Sequence, residues 1–500
     1  MEIRPDYEEF VSQVREGSCT AVYTRLIADL ETPITLYDRL AGDGRSFLLE
    51  SGEGEGKNAR FSFMGFSPFL TLEARGNRVQ IKKEDGEEET RQGNPFEILQ
   101  EIMENTDWRQ PVSLPFCGGA AGYFGYELAG WFEPAAGISP HGEDSDLPDM
   151  SLMFPREILA FDHENHLLTV LVVFTVGKNP EEDYRSACTS LEELMERIRG
   201  GEESRGGGMQ NLAAASPGDT DSSNLPANMS RGEFKAKVEE AKRNIREGEI
   251  FQLVLSRRLE VDSPVHPFLA YRTLRSVNPS PYQFYLDLED PVLCGSSPEM
   301  LVRVENGEAW TRPIAGTRPR GKTHEEDLRL AGDLLDDEKE RAEHVMLVDL
   351  GRNDLGRVCS PGSVRVENMM EVERFSHVMH ITTDVKGELR TGCHPLDALQ
   401  ACFPAGTVSG APKVRAMQLI SGMEPTRRGP YSGAVGYLGF NGNLDTCITI
   451  RTIVSSGGRK YIQAGAGIVA DSDPEKEYRE TLQKSQALLK TLSAAEEMIT

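Results

Sequence analysis

Tyr437-Leu-Gly-Phe-Asn441-Gly442-Asn-Leu-Asp-Thr-Cys-Ile-Thr-Ile-Arg451-Thr-Ile-Val-Ser-Ser-Gly457-Gly458-Arg-Lys-Tyr-Ile-Gln463 carries two turn signals, Asn-Gly and Gly-Gly, each between runs rich in β-branched and aromatic residues. That pattern reads as consecutive β-hairpins, because glycine and asparagine supply the positive φ that tight hairpin turns require. The signal recurs at Asn306-Gly307 and at Gly76-Asn77, and a further pair of runs, Glu157 to Phe161 and Leu167 to Val176, is joined by Asp162 to Asn165. Helical stretches are expected over 95–103, 230–246, 325–348, 395–402, 411–421 and 474–495. Strands joined by short turns, with helices inserted in blocks and not after every strand, predict an α+β protein with mainly antiparallel sheets. No internal repeat is present.

The composition narrows the function. Charge sums to 54 − 80 = −26, which leaves no footprint for nucleic acid and none for an anionic membrane. An anionic substrate would need a site that is locally basic or metal-loaded. Eight cysteines never fall in a Cys-x-x-Cys pair, so the expectation is reduced thiols, with neither a zinc site nor a disulfide framework. No apolar signal region opens the chain, and the apolar run Leu167 to Val176 is too short to span a bilayer. A soluble, cytoplasmic protein is the expectation.

Residues 200–229, rich in Gly, Ser and Asp, read as a linker or long loop between a region at 1–199 and a second at 230–495. Ser230 and Glu233 form a capping box that opens the second region. Gly52-Glu-Gly-Glu-Gly-Lys57 superficially suggests a phosphate loop, but Asn58 follows the lysine and two glutamates would repel phosphate.

Two glutamate pairs stand out, Glu340 with Glu343 and Glu477 with Glu480. Spacing i, i+3 puts each pair on one helix face, where two carboxylates either meet solvent or share a cation. The second pair follows Ser472-Asp473-Pro474-Glu475, read as a capping box with proline in the first turn, and Lys484 lies on the same side. Hard oxygen donors without nearby cysteine point to magnesium (Mg2+). Arg451, by strand alternation, is expected opposite Ile448 and Ile450.

A set of ordered motifs resembles the chorismate-utilising enzymes, and within them the large subunits (component I) of anthranilate synthases. The stretches are Gly-Glu-Ile-Phe-Gln-Leu-Val-Leu-Ser (248–256), Ser-Ser-Pro-Glu (296–299), Thr-Arg-Pro-Ile-Ala-Gly-Thr-Arg-Pro-Arg-Gly (311–321), Asp-Leu-Gly-Arg-Asn-Asp-Leu-Gly-Arg (349–357), His-Val-Met-His (377–380), Thr-Val-Ser-Gly-Ala-Pro-Lys (407–413), Gly-Pro-Tyr-Ser-Gly (429–433) and Ala-Gly-Ala-Gly-Ile-Val (464–469). With the glutamate pairs they cover about 230 to 490; the N-terminal region matches more loosely. The resemblance implies antiparallel sheets in a sandwich-like core with helices outside.

It further implies that Glu340, Glu343, Glu477 and Glu480 hold magnesium against the ring carboxylate of chorismate. Thr407, Tyr431, Arg451, Lys484 and the amides of Gly465 and Gly467 would bind substrate. Glu299 resembles the general acid for the departing ring hydroxyl, and His380 the residue that assists loss of pyruvate. Relatives that add water carry a lysine where Gln252 stands, and makers of aminodeoxychorismate commonly carry one where Ala315 stands. With neither lysine, the nucleophile implied is ammonia, delivered by a separate glutamine amidotransferase subunit. Glu50, Ser51, Arg60, Pro281, Tyr282 and Gln283 resemble a tryptophan feedback pocket at the edge of the N-terminal region, with Gln283 where many relatives have methionine. Rival readings are an enzyme that stops at 2-amino-2-deoxyisochorismate, an aminodeoxychorismate synthase component I, and a non-catalytic scaffold that binds only the amidotransferase.

Overall fold

The computed structural model describes the chain except residues 43, 53–59, 139–146, 201–224, 376–377 and 500. Twenty-one strands among the described residues join in one hydrogen-bonded sheet, and every ladder is antiparallel. The turn signals fall where expected. Asn441-Gly442 joins Ala434–Gly439 to Leu444–Ile448, Gly457-Gly458 joins Thr452–Ser456 to Arg459–Ile468, and Asn306-Gly307 joins Met300–Glu305 to Glu308–Thr311.

Alternation along the strands sorts the apolar side chains into layers. Leu48, Met64, Leu159, Tyr285 and Ile453 face the helices Pro33–Leu40, Pro180–Arg199, Pro267–Val277 and Pro474–Glu497. Their sequence neighbours Phe47, Phe63, Ile158, Phe284 and Val454 point the other way, onto Tyr123, Val435, Tyr437 and Cys447. The residues alternating with that second set, Phe124, Ala434, Leu438 and Ile448, meet the helices Pro95–Asn105, Glu338–Gly356 and Pro395–Cys402. The result is a sandwich of sheet on sheet with helices outside, in which each buried large side chain contributes roughly 1.5–3 kcal/mol. Strands from before residue 200 pair directly with strands from beyond 230: Ser46–Ser51 with Tyr282–Asp287, and Gly119–Phe124 with Ala434–Gly439.

Three details differ from the sequence reading. The expected helix over 325–348 is two helices, His324–Asp336 and Glu338–Gly356, because Asp337 leaves helical geometry and accepts from the amides of Lys339 and Glu340 as an N-cap. The last helix is capped by Asp473, which accepts from Glu475 and Lys476, while Ser472 Oγ accepts from Val469 N before the helix begins. Residues 225–229 are not a linker: Ala227 bridges to Leu259, and Asn228 is bonded to Arg258 and Thr426. Gly200 caps the helix Pro180–Arg199, while residues 201–224 of that expected linker, the Gly52-to-Lys57 segment after its first residue, and His377 of the His-Val-Met-His motif lie outside the described residues.

Helix Lys413–Met423 ends at Glu424, whose carboxylate meets Arg428 at 2.7 Å with both side chains at most 3% exposed. Arg428 also donates to the carbonyls of Val408 and Val254, and Glu424 accepts from Ser256 N and Oγ. Removing one partner strands a buried charge, so Glu424→Leu is expected to cost about 3–5 kcal/mol in chemical denaturation, and Glu424→Leu/Arg428→Met less. A single variant within about 1 kcal/mol of the parent would show that the pair does not pin this region.

Candidate active site

Strand Gln252–Val261 pairs along its length with Arg459–Ile468, with Gly465 opposite Ser256 and Gly467 opposite Val254. Neither glycine bends the chain; both stay in the strand. A Cβ at Gly465 would lie 2.8 Å from Tyr431 Oη, and one at Gly467 would lie 2.8 Å from Gln252 Nε2. The missing side chains leave room for a cavity of about 290 Å³. Glu299, His380, Thr407, Tyr431, Arg451, Gly465, Gly467, Lys484 and Glu343 all line it, as do Gln252 and Ala315.

Glu299 follows the strand Val292–Ser297 and lines the cavity, partly exposed to that space. Removal from bulk water raises its pKa to about 7, against the opposing pull of the Thr407 hydroxyl and the Lys484 ammonium. Burial wins, and the carboxyl is held close to half-protonated at neutral pH. Thr407 Oγ1 donates to Glu299 Oε1 at 2.8 Å, so this threonine holds the acid in addition to bordering the cavity.

His380 lies on Val378–Glu388, with Nδ1 2.7 Å from the Gly316 carbonyl oxygen and 3.2 Å from Thr317 Oγ1. A carbonyl only accepts, so Nδ1 carries the proton and the neutral ring keeps its lone pair on Nε2. Burial lowers the imidazole pKa, and Arg451 adds to that against the Gly316 contact.

Arg451 sits between strands, not on one. Its φ of 52° is left-handed, and it lines the cavity together with its neighbour Ile450, which overturns the alternation reading. Its Nη1 donates to the Lys484 carbonyl at 2.6 Å. Burial works against its charge, while Tyr431 and Glu480 support it. Tyr431 is held as a neutral hydroxyl, its pKa pushed up to about 12 by burial.

The four glutamates lie on two helices, Glu338–Gly356 and Pro474–Glu497, each of which borders the cavity, but of the four only Glu343 is among its described lining residues. Burial raises Glu343, and Glu340 and, from the other helix, Glu480 add to the effect; burial likewise raises Glu477, with Glu480 adding. Glu480 meets Lys484 Nζ at 2.7 Å, and Glu340 meets Arg318 at 3.4 Å. Among the described residues no three His, Cys, Asp or Glu side chains converge as a ligand cluster.

The six residues of the expected feedback pocket lie on or beside neighbouring strands within the sheet, where Tyr282 pairs with Ser51 and Gln283 with Glu50, but they do not share one cavity. Ser51 and Arg60 line a second cavity of about 640 Å³ with Trp310, Tyr437 and Asp445. Glu50 points to the opposite face, where Tyr271 and Arg275 hold its carboxylate. Arg60 is paired with Asp162 and Glu164, and Tyr282 Oη donates to Asp445. Pro281 accepts from Gly52 N, and Gln283 is buried.

Sequence reasoning missed Gln463 and Thr317 in the main cavity, and the Ser256–Glu424–Arg428 network behind it. Thr317 and Ser256 lie inside the motif stretches 311–321 and 248–256, which was the signal available for them, whereas Gln463, Glu424 and Arg428 fall outside the quoted motifs and only the fold brings them to the site.

The description "chorismate binding enzyme" fits the family model that matches residues 44–490. Anthranilate synthase component 1 of Acetivibrio thermocellus is 47% identical over 99% of both chains, and that of Thermus thermophilus is 45% identical over 94% of this chain and 97% of its own. A crystal structure of anthranilate synthase component I from Streptococcus pneumoniae superposes with a TM-score of 0.73 at 36% identity, covering 93% of this chain and 99% of its own. The menaquinone-specific isochorismate synthase of Escherichia coli shares the fold, with a TM-score of 0.69 at 19% identity over 97% of both. The family model's match to residues 44–490, and identities of 47% and 45% over almost the whole chain, make this protein a member of the chorismate-binding enzymes and, within them, a lyase of the anthranilate synthase component 1 group.

Proposed function

We propose that the chain converts chorismate and ammonia into anthranilate, pyruvate and water, as the first committed step towards tryptophan. The observation that carries this reading is Glu299: a carboxyl held near pKa 7 in a cavity shared with His380, Arg451 and Lys484 and bordered at positions 252 and 315 by glutamine and alanine. Arg451, Lys484 and the Tyr431 hydroxyl offer charge and hydrogen bonds to a dianionic substrate. Ammonia forms a bond to the ring carbon beside the one that bears the ring carboxylate, both ring double bonds shift along the ring, and the C–O bond to the ring hydroxyl breaks. Glu299 gives its proton to the leaving hydroxyl, which departs as water. His380, neutral with Nε2 unprotonated, takes the proton from the newly aminated carbon. The enolpyruvyl C–O bond then breaks, the ring becomes aromatic, and the released enolpyruvate takes up a proton on its methylene carbon to become pyruvate.

The donor set of Glu340, Glu343, Glu477 and Glu480 fits a hydrated magnesium ion, since the negative charges that help push the Glu343 and Glu477 carboxyls up are relieved by a cation, and carboxylates that do not converge in threes suit an ion that keeps several waters. Bound there, magnesium would neutralise the ring carboxylate. Ammonia would come from a glutamine amidotransferase subunit, and tryptophan would bind in the cavity at Ser51. The alternative product, 2-amino-2-deoxyisochorismate, would follow if His380 did not complete the elimination.

Mass spectrometry of the product from chorismate, ammonium and magnesium is expected to find anthranilate; accumulation of the aminated intermediate would favour the alternative. Glu299→Gln keeps the Thr407 contact but has no proton to give, so kcat should fall roughly 10²- to 10⁴-fold with chorismate binding little changed. In the parent at constant free ammonia, the rate should decline as pH rises through about 7, where Glu299 loses its proton. A flat profile would remove Glu299 as the acid.

For the metal, millimolar magnesium should raise the Tm of the parent and not that of Glu343→Ala, because the ion offsets carboxylate repulsion only where the carboxylates remain. Full activity in EDTA would refute a magnesium requirement.

For feedback, Ser51 Oγ donates to the Phe61 carbonyl at 2.8 Å at the cavity wall. Ser51→Phe should fill that space, keeping ammonium-driven turnover while losing inhibition by tryptophan. Inhibition curves at one chorismate concentration decide it, and unchanged sensitivity would move the inhibitor elsewhere.

A further inference from the structure

Beyond Tyr431 and Gln463, which line both spaces, lies a second chamber of about 20 Å³ walled also by Arg258, Arg428, Thr449 and Tyr461. That volume holds one molecule the size of water or ammonia. Thr449 is wholly buried and its backbone is paired with Ser432 and Gly433. Its Oγ1 has no partner among the described residues, a state that proteins rarely leave unfilled.

The orientation of Gln463 follows from its neighbours. Ser256 Oγ gives its only hydrogen to Glu424 Oε1 at 2.8 Å, so it can only accept from Gln463, and the atom 2.7 Å away must be the amide nitrogen. The Gln463 carbonyl oxygen is thereby left for an occupant of the space beside it, and no hydrogen bond reaches it among the described residues. Two guanidinium groups and no carboxylate stand among the chamber's described lining residues, which disfavours a cation and suits a small neutral molecule that both donates and accepts.

We propose that this chamber is a holding site for one molecule of neutral ammonia, bound between Thr449 Oγ1 and the Gln463 carbonyl and released past Tyr431 into the catalytic cavity. The Thr449 hydroxyl donates to the nitrogen lone pair and Gln463 accepts an N–H, so the nucleophile waits with its lone pair occupied. Leu147, Arg258 and Tyr461, all only half-buried, form the outer wall. The chamber therefore has part-exposed residues on its wall as well as the two residues, Tyr431 and Gln463, that also line the main cavity. This inference rests on the reading that ammonia is the nucleophile.

The test is steady-state kinetics with ammonium chloride as sole nitrogen source. Thr449→Val removes an unpaired buried hydroxyl at nearly constant volume, so its Tm should equal or exceed the parent's. Its KM for ammonium should rise about 5- to 10-fold, the loss of one hydrogen bond, while KM for chorismate moves less than twofold. Thr449→Ser, which keeps the hydroxyl, should restore the parent's ammonium KM. An unchanged ammonium KM in Thr449→Val would mean that the chamber holds only water and would overturn the proposal. A parallel rise in both KM values with a lower Tm would make Thr449 a packing residue and overturn it equally. If the parent itself forms no aminated product from ammonium, the proposed reaction fails and the holding site with it; if the parent turns over and only the Thr449→Val result is negative, the holding site alone fails.

Discussion

The Arg428–Glu424 ion pair is the constraint on which the cavity depends. An exposed pair would contribute little, and even a buried one repays its desolvation only when every remaining donor and acceptor is satisfied. Here the surrounding groups are: Val408 O, Val254 O and Ser432 Oγ take the guanidinium, and Ser256 and the Arg428 fork take the carboxylate. The pair thus joins a strand, a helix end and two turns that are remote in sequence. The Arg428 guanidinium also lies over the rings of Tyr126 and Tyr431, 4.6 and 5.6 Å from their centroids, which fixes the cavity face of Tyr431. Position, more than net stability, is what this pair supplies.

Charge around the cavity is a balance held by one lysine. Lys484 Nζ is 2.7 Å from Glu480 and 3.1 Å from the Gly465 carbonyl, and its field draws Glu299 downward. Were that field stronger than the burial, Glu299 would be an ordinary ionised carboxylate with no proton to give at neutral pH. Sharing the ammonium with Glu480 weakens its hold on Glu299. The same arrangement links the glutamate pairs to the acid, so whatever engages Glu480 also changes the environment of Glu299. In a chain of net charge −26, this local grouping of Arg451 and Lys484 is what makes an anionic substrate acceptable.

Much of this was legible in the sequence because it is local. Hairpins announce themselves by turn residues, and Ser230 with Glu233 forms the capping box that its spacing predicts. The members of the main cavity were recognisable through motifs that each span a few residues. Three things were not legible, and each depends on tertiary geometry. Arg451 could not be placed by alternation, since the strand already ends at Ile448 and Arg451 itself is left-handed. Glu50 and Ser51 are adjacent, and a strand sends adjacent side chains to opposite faces, so a shared pocket was excluded once the segment proved to be an extended strand. Gln463 and Thr449 carry no signal in sequence, because what distinguishes them is a partner supplied, or not supplied, by distant segments.

The sheet also links the region before residue 200 to the chemistry. Tyr282 is paired with Ser51 on one side and with Ser297 on the other, and Glu299 lies two residues beyond Ser297. The strand Val292–Ser297 carries more than the acid: Ser296 N donates to the Arg451 carbonyl, Ser297 Oγ to the Ile448 carbonyl, and Ile448 N to the Glu299 carbonyl. Glu299 and Arg451 therefore hang from one strand end, and a shift of that strand would move the Glu299 carboxyl and the Arg451 guanidinium, the proposed acid and anion-binding cation, together. A ligand at the Ser51 cavity can weaken chorismate binding only by the free energy with which it prefers the shifted arrangement, and chorismate must weaken that ligand by the same factor. Because acid and cation move as a unit, such a ligand would act on substrate affinity and on proton donation at once, and not on either alone.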